Sequence, residues 1–163
     1  MATEMGEYLV GAYLKFEKKC DVVDYNARPR GGRREGLGEL DVIGLNFTNH
    51  VAYLCEVTTH LEGLLIGRGA DATIAKIKSK NRRQRDYATK YLSEFSPTFM
   101  FWSPIVRSGL IGSLEEIYGN NLMINTRYTE AIDALRTEAK KHSSDANNPA
   151  FRVLQILEHM RRN

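Results

Sequence analysis

Two carboxylates lie where carboxylates are costly to place. Asp41 sits in the run Gly38-Glu39-Leu40-Asp41-Val42-Ile43-Gly44-Leu45, and Glu56 in Val51-Ala52-Tyr53-Leu54-Cys55-Glu56-Val57-Thr58. An ionised carboxylate in an apolar strand gives up its hydration, so it needs a positive or hydrogen-bonding partner. One such acid is accounted for by bonds to backbone or to an arginine. Two on neighbouring strands point instead to a shared cation, and a divalent metal is the natural one.

Both runs are short, rich in apolar and β-branched residues, and separated by the turn formers Asn46 and Thr48-Asn49, the pattern of a hairpin. Side chains alternate along a strand, so Asp41 shares a face with Ile43 and Leu45, and Glu56 with Ala52, Leu54 and Thr58. Paired in register, the two acids converge.

A third acid belongs to a helix expected over residues 3 to 18, with Thr3 as its cap. Glu7, Val10 and Leu14 fall on one helical stripe, which sets Glu7 among core residues unless it lies at the boundary and reaches water. Gly6 and Gly11 on either side of it permit close approach to another backbone or to a phosphate.

The net charge of +3 conceals a segregation. Residues 28 to 34 hold four arginines and no acid, and residues 76 to 90 hold seven basic residues against Asp86, so these segments carry +4 and +6 and the remainder −7. Such a stripe is an electrostatic footprint for a polyanion, nucleic acid being the commonest, although a solvated helix face has the same composition. Arg28, Arg30, Arg33 and Arg34 surround Gly31-Gly32 in a loop that can grip phosphates through guanidinium pairs or form an exposed hairpin tip. No Gly-Lys-Ser/Thr follows, so it is not a P-loop.

Further elements follow in order. Cys20 to Asn26 reads as a first strand. After the hairpin and the loop Gly63 to Gly69 comes a long helix from about Asp71 to Ser93, with Thr73, Ile77, Ala88, Tyr91 and Leu92 toward the core and Lys80 and Gln84 on the same stripe. Residues 98 to 106 and 122 to 125 read as strands, with a short helix near 114 to 118 between them. Helices over 127 to 141 and beyond Pro149 close the chain, the last joined by the polar linker 143 to 149. The expected fold is an α/β three-layer α/β/α sandwich with a mixed central sheet. Residues 1–142 form the main domain, and residues 143–163 a linker and helix packed on it or on a dimer partner.

Other chemistries are disfavoured. No stretch has the length and apolarity of a membrane span and no signal pattern opens the chain, so a cytoplasmic protein is expected. Cys20 and Cys55 form no Cys-x-x-Cys pair and are expected as free thiols. His50, His60, His142 and His159 lack zinc-ligand spacing.

Glu7 on the first helix, Gly38-Glu39-Leu40-Asp41-Val42-Ile43-Gly44 and Glu56-Val57-Thr58 together resemble the PD-(D/E)XK nuclease superfamily, in its restriction-endonuclease-like and Holliday-junction-resolvase-like branches. The resemblance covers about residues 3 to 92. It implies that Asp41 and Glu56 bind Mg2+ (or Mn2+), that Glu7 completes the site, and that the Val57 carbonyl meets the metal. The superfamily's lysine, two residues after the strand glutamate, is Thr58 here. A lysine migrated to the next helix would replace it, Lys80 first and Lys76 second. Lys76 and Arg83 join the four loop arginines as expected nucleic-acid contacts.

The implied function is metal-dependent hydrolysis of DNA phosphodiester bonds, structure-specific or of restriction type, in a possible homodimer. Two other classes stay open: a catalytically inactive nucleic-acid-binding module on the same scaffold, and a protein-interaction domain.

Overall fold

The computed structural model describes residues 2–29 and 38–161. Its elements run α1 (Met5–Phe16), β1 (Val22–Ala27), β2 (Leu40–Asn46), β3 (Val51–Val57), α2 (Ala70–Tyr91), β4 (Ser96–Ser103), α3 (Ser108–Tyr118), a 3-10 turn (Gly119–Asn121), β5 (Leu122–Ile124), α4 (Asn125–Lys141) and α5 (Pro149–Met160). One five-stranded sheet is ordered β1-β2-β3-β4-β5. The first three strands are antiparallel, joined by short connections, whereas β3, β4 and β5 are parallel and need helical crossovers.

The sheet is covered on both faces, giving the three-layer α/β/α sandwich. Val42, Cys55, Met100 and Trp102 pack with Val10 and Leu14 of α1 and Tyr128 and Ala131 of α4. On the other face Phe101, Leu122 and Ile124 meet Ile77 of α2 and Leu110 and Leu114 of α3, and Ile43, Ala52 and Leu54 meet Ala88 of α2. Each large side chain removed from water in these layers contributes roughly 1.5–3 kcal/mol. The last helix belongs to the same layer as α1 and α4, because Phe151 is buried against Ala12, Leu135 and Ala139.

Several boundaries differ from the sequence reading. Helix α1 opens at Glu4 rather than Thr3, through a capping box in which Glu4 and Glu7 each bond the other's backbone. Helix α3 begins at Ser108, well before residue 114, and so incorporates Gly109 and Gly112, whose low propensity is outweighed by burying Leu110 and Leu114. Strand β4 starts at Ser96, through Pro97, and stops at Ser103 ahead of Pro104. On α2 the fully lined core stripe is Thr73, Ile77, Asn81, Gln84 and Ala88. Lys80 lies at its edge, half-buried, and so do Tyr91 and Leu92.

Gly6 and Gly11 do serve close approach, to side chains of the same chain. A Cβ at Gly6 would collide with the Thr59 methyl and one at Gly11 with the Tyr25 hydroxyl. Cys20 and Cys55 are free and buried. Among the described residues no helix is long and apolar enough to cross a membrane.

Candidate active site

The hairpin places the two carboxylates side by side. Its register sets Ile43 opposite Leu54 and Val42 opposite Cys55; carried one step further, it sets Asp41 opposite Glu56. Both project from the face that α2 covers. Asp41 Oδ2 accepts the Val57 amide at 2.8 Å, which fixes the aspartate across the end of the ladder.

Lys80 meets both acids. Its Nζ donates to Glu56 Oε2 at 2.6 Å and stands 3.9 Å from Asp41 Oδ2. Lys80 and Asp41 keep about a fifth of their side-chain area open to solvent, and Glu56 keeps none. The cleft therefore has an inner carboxylate, an outer carboxylate and an ammonium between them.

Burial pushes the Glu56 carboxyl up to about 7, helped by the Asp41 charge and opposed by Lys80. Burial alone would lower the Lys80 ammonium, but the Glu56 and Asp41 charges and the Glu56 hydrogen bond outweigh it and raise it overall. Lys80 thus stays charged at neutral pH and serves as a fixed positive group and donor rather than as a base.

The raised acid has a consequence for stability. A carboxyl whose folded pKa exceeds its ordinary 4.5 stabilises the fold fully below that value, and this contribution is lost as pH rises through about 7. Without divalent metal, the stability of wild type relative to Glu56→Gln should therefore fall between pH 5 and 8, by on the order of 3 kcal/mol. Urea unfolding of both proteins at the two pH values in the presence of a chelator measures the difference; a pH-independent difference would refute it.

Lys80 is held at this height by its neighbour one turn on. Gln84 is fully buried, donating to the carbonyls of Leu54 (2.8 Å) and Met100 (3.2 Å). Its Oε1 accepts from Tyr118 Oη at 3.0 Å and Asn81 Nδ2 at 3.3 Å. All four hydrogen-bonding positions of the amide are used, so α2 is locked against β3 two residues before Glu56 and against β4. Tyr118 and Asn81 were not legible as partners in the sequence. A polar residue on the apolar stripe of α2 was the only signal.

Glu7 stands apart. Its Oε2 accepts the Glu4 amide at 3.0 Å and Asn26 Nδ2 at 3.4 Å, bonds that serve the start of α1 and its contact with β1. Burial raises its pKa, with Asp41 and Glu4 adding to the rise, so it lies within electrostatic range of the pair. Among the described residues no three His, Cys, Asp or Glu side chains are grouped to hold a metal ion.

The basic residues form a surface beside the cleft. Lys76, Lys80, Arg83 and Lys90 follow one stripe of α2, with Lys76 and Lys90 exposed and Arg83 half-buried. Arg83, Asp86, Tyr87, Lys90 and Tyr91 line a hollow of about 180 Å3 together with Pro29 and Gly38. Tyr87 and Tyr91, tilted against each other with ring centroids 4.8 Å apart, add aromatic faces that the charge count did not show. Arg28 is paired with Glu39. Arg30, Arg33 and Arg34 lie outside the described residues.

Compared with known proteins, the chain matches no family model, no curated protein and no solved structure.

Proposed function

We propose that the protein is a metal-dependent nuclease that hydrolyses phosphodiester bonds of DNA, as its resemblance to the PD-(D/E)XK superfamily implies. The observation that carries the reading is the Lys80 ammonium 2.6 Å from a fully buried Glu56 and 3.9 Å from Asp41. It sets two carboxylates and a lysine together despite the Thr58 substitution, with a basic stripe alongside.

The donor set fits magnesium or manganese. Asp41 Oδ2 and Glu56 Oε2 both face one cation, standing 3.9 Å and 2.6 Å from Lys80 Nζ, and carboxylate oxygens are the ligands a hard dication prefers. Asp41 and Glu56 would hold the ion, with the Val57 carbonyl as a further ligand and Glu7 at longer range. When bound, it supplies an activated water and polarises the phosphoryl group. Lys80 contributes a permanent positive charge where negative charge builds up on the phosphate. Lys76, Arg83 and Lys90 hold the backbone next to the cleft.

A cleavage assay with magnesium or manganese on a panel of linear, nicked, flapped and branched DNA tests the reading. Cleavage that stops on chelation is expected. The commitment of Glu7 to the α1 cap favours a second reading, an inactive nucleic-acid-binding module, which binding without cleavage in every substrate and metal would select.

Either reading requires salt-sensitive binding. If the stripe and the 28–34 loop neutralise about five phosphates, log affinity should fall against log salt with a slope of roughly −4 to −5, and Lys76→Ala or Lys90→Ala should each flatten it by about one. Fluorescence anisotropy over a salt series measures the slope. No affinity at any salt would favour a protein-interaction domain.

A further inference from the structure

Three oxygens near Lys80 are buried with no hydrogen-bond partner among the described residues: Glu56 Oε1, Thr58 Oγ1 and Ser103 Oγ. Their places in the sheet bring them together. The β3–β4 register sets Glu56 beside Phe101 and Val57 beside Trp102, a last pair to which the Thr58 amide belongs by donating to the Trp102 carbonyl at 2.9 Å, and one step further along the same register Thr58 falls beside Ser103. Val57 and Thr59 turn their methyls toward Gly6 of α1, so Thr58 faces the other way, with Glu56. Trp102 packs on the α1 side and Phe101 on the α2 side, which puts Ser103 on the α2 side as well.

The three side chains therefore project from one face of two adjacent parallel strands, whose backbones run about 4.8 Å apart, with about 7 Å of chain between residues 56 and 58. On the same face of the sheet Phe101, between Met100 and Trp102, packs with Ile77 of α2 and Leu110 of α3. Lys80 Nζ is engaged with the other oxygen of Glu56. Among the described residues two hydroxyls thus have a proton to donate and no acceptor, next to a carboxylate oxygen with no donor.

We propose that Thr58 and Ser103 are positioning residues whose hydroxyls hold one buried water against Glu56 Oε1. A water with three polar partners is the usual way such a group is satisfied. The terminal torsion of a glutamate is soft, so a bond to Oε2 alone leaves the carboxylate plane free to turn. Lys80 fixes it from the solvent side and the water fixes it from the interior, as outer partners orient the ligands of metal sites. Thr58, at the position where the resemblance leads one to look for a lysine, thereby has a role of its own. The role in cleavage rests on the nuclease reading; the water does not.

The test combines high-resolution crystal structures of wild type and Ser103→Ala with kinetics of Ser103→Ala, Thr58→Val and Thr58→Ser. Expected are an ordered water within hydrogen-bond distance of all three oxygens in wild type and its displacement in Ser103→Ala. Ser103→Ala and Thr58→Val should each lower kcat about tenfold at unchanged KM, while Thr58→Ser, which keeps the hydroxyl, cleaves like wild type. No density between the three oxygens in wild type overturns the proposal, and so does a Thr58→Val protein with wild-type kcat. A wild type that contains the water and cleaves no substrate overturns the nuclease reading, and with it the positioning role, but leaves the water standing.

Discussion

Asp41→Asn and Glu56→Gln are each expected to reduce magnesium-dependent cleavage a thousandfold or more. Each exchange keeps the side chain's size and removes one negative charge from the carboxylate pair that faces Lys80. With Lys80 still in place, the summed charge of Asp41, Glu56 and Lys80 in their ionised forms changes from −1 to zero, and affinity for a dication falls with it. The fold should survive. An asparagine at position 41 can still accept the Val57 amide that Asp41 accepts, and a glutamine at position 56 removes a charge that burial disfavours. Circular dichroism, binding to catalytically blocked DNA and single-turnover cleavage at increasing metal separate the outcomes. Cleavage by both variants at the wild-type rate would remove these residues from the metal site.

The hairpin was legible because its constraints are local. A period of two, a short polar turn and apolar neighbours fix both the faces of Asp41 and Glu56 and their register. Lys80 was legible by a different period, the helical one, which carried it to the edge of a stripe running through Ile77 and Gln84. What the sequence did not reveal depends on contacts between distant elements. Tyr118 reaches Gln84 from α3, a helix that begins earlier than its glycine-bearing sequence indicates.

Glu7 shows the limit most clearly. Its position on the core stripe of α1 is legible in the helical period, and it is buried. Its use in a capping box was hidden because Glu4, rather than a serine or threonine, supplies the partner. Ser103 carries no signal of its own, since a serine inside the strand expected over 98 to 106 has no evident partner until the neighbouring strand places Thr58 beside it.

The charge on Lys80 separates a working nuclease from a scaffold that only binds. Lys80→Ala should lower cleavage by about a hundredfold or more while DNA affinity stays within a fewfold, because the ammonium is engaged with Glu56 and Asp41 rather than lying open on the basic stripe. Lys80→Met keeps the packing of the methylenes and removes only the charge, so equal losses in the two variants assign the effect to electrostatics and not to a cavity. Position 58 shares the face of Glu56, and Thr58→Lys in the Lys80→Ala background should return part of the lost rate from the neighbouring strand. A Lys80→Ala protein that cleaves like wild type would move the role to Lys76, one turn nearer the start of α2 and exposed. If wild type never cleaves but Thr58→Lys alone does, the natural chain is the binding module, with Lys80 serving to neutralise two carboxylates that the fold retains.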